Sequence, residues 1–475
     1  MRIRIKPHRF SGTVRVPASK SHTIRRLFIA ALGAGVSEIM YPLDSLDARS
    51  CAAVCRGLGA DITEHYGADP SCPNPADEQG NRLVRWTIQG VGKAGPQVPP
   101  EPLGAGGTLR KSYLGAKPRK LLDVGNSGTT LFLALAAAAL GREPVVFTGD
   151  EQIARRGAGP LLEALRGLGI TVDSASNGCV PITVQGPWKG GRVSLSCPTS
   201  QYLSALLLAA PLAPAGTVTE IEVPLLNEKP YIDLTLSYLR AQEVPWEGKA
   251  DYSYFRIPGG ASYAPVNGPV AGDFSSAAFP GCAAAICGLP PVVPPATPSI
   301  GGPVVLLGLD PQDPQGDKAI FDMLAHMGCD VAWDRQGDEW RLTVSRAGPL
   351  KGGTFDLNAT PDLLPAAAAL GACAHGETVL VNAAHARIKE TDRIAVMAEE
   401  LRKLGADITE RPDGLVIRGG ALRGGAVDGR GDHRVVMALA VAALGASGPV
   451  EIAGAESAAV TYPAFPELLA AELCG

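Results

Sequence analysis

Aromatic residues are scarce in this chain: Phe, Trp and Tyr make up 5% of its 475 residues. The core must therefore be filled by small and branched aliphatic side chains rather than large rings. An excess of one charge sign is missing as well. Lys and Arg number 43 against 47 Asp and Glu, a formal net charge of −4. That balance excludes the broad cationic surface of a nucleic-acid or membrane-surface protein, although a local cationic pocket remains compatible with it. Long hydrophobic runs are absent too: Gly or Pro interrupts the apolar stretches before the ~20 residues of a membrane helix. The start, MRIRIKPHRF, has no apolar signal-peptide core. The ten cysteines show no zinc-ligand spacing. These absences predict a cytoplasmic protein with no metal, no cofactor, no nucleic-acid partner and no membrane contact.

What is abundant is Gly 57 and Pro 40, alongside 46% hydrophobic and 19% charged residues. The apolar fraction excludes a wholly disordered chain. The glycine follows no Gly-X-Y period, which excludes collagen. Instead a pattern recurs six times: a polar start, about three turns of Ala, Leu and Val, then Gly. The copies begin at Ser19, Asn126, Thr199, Asp273, Thr360 and Asp432. Each predicts an N-capped helix with a glycine stop, apolar nearly all round and hence buried. Amphipathic segments that run through glycine into a strand follow most copies, among them CRGLGADITE, LRGLGITVD and LRKLGADITE. With the β-branched stretches between them, each unit is βαβαββ. The chain is thus α/β, with six units fitting two domains of three. The Pro/Gly-rich stretch 93–119 fits no unit and is expected to be an inserted surface loop. GVGKAG and PLGAGGTLRK fall short of nucleotide-site patterns.

The helix starts are also where polar chemistry gathers. Lys20, Ser21 and Arg25 follow the first start, Gly128 the second, and Thr199, Ser200 and Gln201 the third. Asp362 lies at the fifth and Arg434 at the sixth. The run RIKETDRI adds Lys389, Glu390 and Arg393. Capping accounts for the hydroxyls and carboxylates taken singly. It does not account for Lys and Arg in first turns, where the dipole disfavours cations. Bound anions would, since helix N-termini with added cations form anion sites. Small anionic molecules are the expected partners.

In order along the chain, ASKSHTIR, GNSGTT, TSQYLSALLLAAPL, KPYIDLTL, GDFSSAAF, QGD at 315–317, PD at 361–362, RIKETDRI and GDHR resemble the EPSP synthase family of enolpyruvyl transferases. The resemblance covers nearly the whole chain outside 93–119. It implies a two-domain fold of three βαβαββ repeats each, an inside-out α/β barrel arrangement. The domain limits would be 1–16 plus 272–475 and 17–271, with the active site in the cleft between them. It also implies a monomer that transfers the enolpyruvyl group of phosphoenolpyruvate to the 5-hydroxyl of shikimate 3-phosphate. That reaction releases phosphate, on the route to chorismate and aromatic amino acids.

By motif match, Lys20 and Glu390 are implied in the proton transfers, and Asp362 binds the ring hydroxyls or acts as base. Ser21 and Arg25 would hold the shikimate carboxylate. Thr199, Ser200 and Lys389 would hold the 3-phosphate, with Gln201 and Tyr231 beside the ring. Lys20, Gly128, Arg393 and Arg434 would take phosphoenolpyruvate.

The chain departs from the family at several positions. Gln152 stands where an arginine for phosphoenolpyruvate is expected, with Arg155 and Arg156 nearby. Val460 replaces a lysine, Glu228 a serine on the 3-phosphate, His385 an asparagine and Phe132 an arginine. These departures leave open an alternative: a lyase or transferase on the same scaffold acting on a shikimate-like acid, with altered or lost phosphoenolpyruvate use. The sister transfer to UDP-N-acetylglucosamine is disfavoured, because TGDEQIARRGAGP lacks that family's reactive cysteine.

Overall fold

The computed structural model describes residues 1–96, 120–287, 303–346, 348–470 and 472–474. Apart from 93–96, the expected insertion at 93–119 lies outside the described residues. The strands form six four-stranded sheets with one shared plan. In one of them Lys120–Asp123 runs parallel to Val145–Thr148, which pairs antiparallel with Ile182–Gln185, itself antiparallel to Thr171–Ser174. A buried helix links the first two strands and an outer helix the second to the third, the expected βαβαββ order.

Three sheets are completed by sequence-distant strands. Gly268–Pro269 pairs with Val36–Met40, and Gly12–Arg15 with Val304–Leu307. Arg2–Ile5 closes the sheet of Val450–Ala453. The first fifteen residues therefore serve sheets built otherwise from the second half of the chain.

The six helices are buried as their composition requires. Leu364–Cys373 is buried along its whole length, and Gly128–Ala138 at every residue but Thr129. Phe274–Ile286, Leu364–Cys373 and His433–Leu444 pack pairwise; Gly128–Ala138 packs between Lys20–Leu32 and Gln201–Ala209. Alanine allows this close approach, which explains how the interior is filled with few rings. Buried apolar residues fall into two clusters, one drawn from 3–16 and 274–469, the other from 18–270. No helix among the described residues is long and apolar enough to cross a membrane.

Four starts carry side-chain caps. Ser19 accepts from His22 N, Ser127 from Thr130 N, Asp273 from Ser276 N and Asp432 from Arg434 N. The cap of the second copy is thus Ser127 rather than Asn126, whose amide instead donates to Asp150 and Gln152. Ser200 does not cap, because its hydroxyl donates to Glu228. The fifth copy enters through a 3-10 turn, Pro361–Leu363, without a side-chain cap at Thr360.

Candidate active site

The helix starts converge. Lys20, Gly128 and Gln201 are the first residues of their helices and Arg434 the second of its own. All four line one cavity of about 590 Å³ between the residues of the two core clusters. Ser21, Arg25, Thr199, Ser200, Tyr231, Asp362, Lys389 and Glu390 line it too, as do Gln152, Glu228 and His385. Seven cationic and five acidic side chains face this space. A nearly neutral chain thus places a positive excess where helix dipoles also point.

Arg25 is 2% exposed. Its guanidinium donates to Thr235 Oγ1 at 3.0 Å, Ser21 O at 3.2 Å, and Ser204 Oγ and Tyr231 O at 3.3 Å. These acceptors are all neutral. Burial lowers its pKa to about 10, so it remains a cation at neutral pH. Lys20 Nζ lies 3.1 Å from Asp47 Oδ2. Burial raises the Asp47 carboxyl above its ordinary value despite Lys20.

Asp362 is contacted by three cations: Arg434 Nη2 at 3.0 Å, Arg393 Nη1 at 2.7 Å and Lys389 Nζ at 3.8 Å. Burial works to raise its pKa, but those charges win and hold it well below the carboxylate range. Glu390 behaves alike. Burial opposes its ionisation, while Arg156 at 3.0 Å and Arg393 at 2.5 Å hold its pKa well below the ordinary value. Arg434 Nε and Arg156 Nε have no hydrogen-bond partner among the described residues. Two guanidinium groups at the cavity wall thus keep donors unused, although each lies within ion-pair range of a carboxylate.

Two residues singled out in the sequence, the motif-matched Arg393 and the departing Val460, are not at the wall. Arg393 is fully buried behind it, bound to Asp362, Glu390 and Asp432. Val460 is buried away from the cavity in the 3-10 segment Ala455–Val460. Gln152 bridges instead, accepting from Asn126 Nδ2 at 2.8 Å and donating to Gly431 O at 3.1 Å. The arginine of that loop nearest Glu390 is Arg156. It also approaches Gly128 so closely that a Cβ added there would stand 2.5 Å from Arg156 Nη1. His385 Nε2 lies 3.1 Å from Asn358 O, and burial lowers its pKa. Phe132 stands edge-on to Tyr202 with ring centroids 4.9 Å apart.

Sequence reasoning passed over Asp47, because an acid in the first turn of Leu46–Gly57 reads as a dipole complement. It also left Arg156 unassigned, since a four-residue offset from Gln152 in an irregular loop has no periodicity to fix it.

The profile described as EPSP synthase (3-phosphoshikimate 1-carboxyvinyltransferase) matches residues 5–79 and 109–469. A 3-phosphoshikimate 1-carboxyvinyltransferase of Acetivibrio thermocellus is 44% identical over 470 residues, covering 99% of this chain and 97% of that protein. One from Halobacterium salinarum is 41% identical over 476 residues, covering 99% and 98%. A solved EPSP synthase of Acinetobacter baumannii superposes with a TM-score of 0.73 at 27% identity, covering 98% of this chain and 97% of its own. With the fold, the site and the full-length similarity in agreement, the chain belongs to the EPSP synthase (3-phosphoshikimate 1-carboxyvinyltransferase) family.

Proposed function

We propose that this protein transfers the enolpyruvyl group from phosphoenolpyruvate to the 5-hydroxyl of shikimate 3-phosphate, releasing phosphate. The observation that carries the reading is Arg25: a buried cation at the cavity wall with only neutral partners. Such a group calls for an external anion, and a ring carboxylate beside Ser21 supplies one. The full-length relatives named for this reaction agree with it.

The chemistry requires a proton delivered to the methylene carbon of phosphoenolpyruvate, a proton removed from the attacking hydroxyl, and then loss of phosphate with return of the methyl proton. Asp362 and Glu390, both held ionised by neighbouring cations, are the acceptors for these protons, and Lys20 is the donor facing them across the cavity. Thr199, Ser200 and Lys389 bind the 3-phosphate, with Gln201 and Tyr231 beside the ring. Arg434 and the backbone at Gly128 take phosphoenolpyruvate, with Arg156 as the further cation in place of Gln152. Arg393 acts from behind by orienting Asp362 and Glu390.

The domains in this reading are 1–16 plus 272–475 and 17–271, and the two buried clusters support the division. One chain furnishes the whole cavity, which fits a monomer. The nine described cysteines are free thiols, which fits a reducing cytoplasm. A coupled phosphate-release assay with both substrates tests the activity, and no release at high enzyme concentration rejects it.

A further inference from the structure

Glu228 introduces a carboxylate into the proposed phosphate subsite. It precedes helix Lys229–Ala241 with φ 58° and ψ 42° and is 1% exposed. Its Oε2 accepts from Ser200 Oγ at 2.8 Å, Ser200 N at 3.0 Å and Thr199 Oγ1 at 3.1 Å. Its Oε1 is ion-paired with Lys389. These four donors are the ones assigned above to the 3-phosphate. Burial would raise the Glu228 pKa, but Lys389 and the Ser200 N–H outweigh burial and hold it below the ordinary value. The carboxylate is therefore an anion at neutral pH.

A donor committed to an internal anion is not free for an external one. A phosphate cannot join a buried carboxylate on the same donors without strong like-charge repulsion. Resting on the function proposed above, we propose that Glu228 is the resident anion of this subsite. The substrate's phosphate binds by displacing it from Thr199, Ser200 and Lys389, and its return favours release of the phosphate-bearing product. Glu228 thereby lowers the affinity of the subsite for phosphorylated ligands and sets how far the phosphate contributes to recognition.

Titration calorimetry on the full chain near neutral pH tests this with two ligands, shikimate 3-phosphate and unphosphorylated shikimate. The proteins are wild type, Glu228→Ser and Glu228→Gln. Removing the competitor frees charge-assisted hydrogen bonds, so Glu228→Ser should bind shikimate 3-phosphate at least about tenfold more tightly. Glu228→Gln, nearly isosteric and uncharged, should fall between, and it carries the test should Glu228→Ser fail to fold. Shikimate affinity should stay within about threefold throughout, because that ligand lacks the phosphate. Unchanged or weaker binding of shikimate 3-phosphate by the folded variants overturns the proposal. Wild-type turnover on the same samples separates the two levels. Turnover with unaltered variant affinity overturns the role of Glu228 alone. No turnover, and no shikimate 3-phosphate binding by any of the proteins, overturns the functional reading and this role with it.

Discussion

Arg156 Nη2 lies 3.0 Å from Glu390 Oε1, joining a loop of one core cluster to the charged run of the other across the cavity. Glu390 is thereby held between Arg156 and Arg393. The unused Nε of Arg156 leaves donor capacity for a ligand beside Gly128. Arg156→Gln should cut kcat/KM for phosphoenolpyruvate by roughly 10- to 100-fold, the range of one charge-assisted bond. Gln152→Ala, which loses only neutral bonds, should cost no more than about fivefold. Steady-state kinetics of the two variants decide which side chain serves the ligand; the reverse order would reassign the role to Gln152.

Glu243 marks where the sixfold pattern lapses. Gly59, Gly169, Gly328 and Gly405 each follow the end of an outer helix at positive φ, between +86° and +107°. The corresponding residue after Lys229–Ala241 is Glu243, exposed and at φ 53°. A side chain in this region costs about 1–2 kcal/mol, part of which glycine's greater unfolded-state entropy offsets. Glu243→Gly should therefore stabilise the protein by about 0.5–1 kcal/mol, measured as a higher urea midpoint with an unchanged slope.

The same comparison shows why much of the fold was legible. Polar starts, apolar runs and Leu-Gly stops fix helices locally, and Ser19, Asp273 and Asp432 cap as their chemistry predicts. The strand exchanges were less so. Gly268–Pro269 has two residues and no alternation to betray its pairing with Ile39 and Met40. In the site, first-turn cations stood out because the dipole disfavours them. Asp47 did not, because the dipole favours it. The placement of Arg393 behind Asp362 and Glu390 depends on how three segments pack, which no local pattern carries.

Arg25 links burial to recognition. Its position within hydrogen-bond reach of four neutral oxygens fixes the guanidinium but leaves its charge uncompensated. A bidentate carboxylate would add two charge-assisted bonds of about 1.5–3 kcal/mol each. Arg25→Gln should therefore raise the Kd for shikimate 3-phosphate by roughly a hundredfold or more, with loss of the ligand-induced rise in melting temperature. A variant that is folded and still binds within a few-fold of wild type would place the carboxylate elsewhere.

Asp317 predicts a pH-dependent loss of stability. It is 2% exposed, its Oδ2 is bonded by Ser275, and its Oδ1 has no partner among the described residues. Burial raises its pKa from 3.8 to about 6, although Arg434 opposes the shift. Between these values the folded protein retains a proton that the unfolded chain has released. Stability from this group is therefore present at low pH and declines as pH rises from about 4 to about 6. Above that range the deficit is of order 3 kcal/mol, about 1.4 for each pH unit of displacement. Asp317→Asn keeps an oxygen for Ser275 and removes the ionisation. Urea unfolding should find it more stable than wild type by about 1–3 kcal/mol near neutral pH, the gap closing near pH 4. A gap independent of pH would mean that the carboxyl does not titrate in this range and that packing alone distinguishes the two proteins.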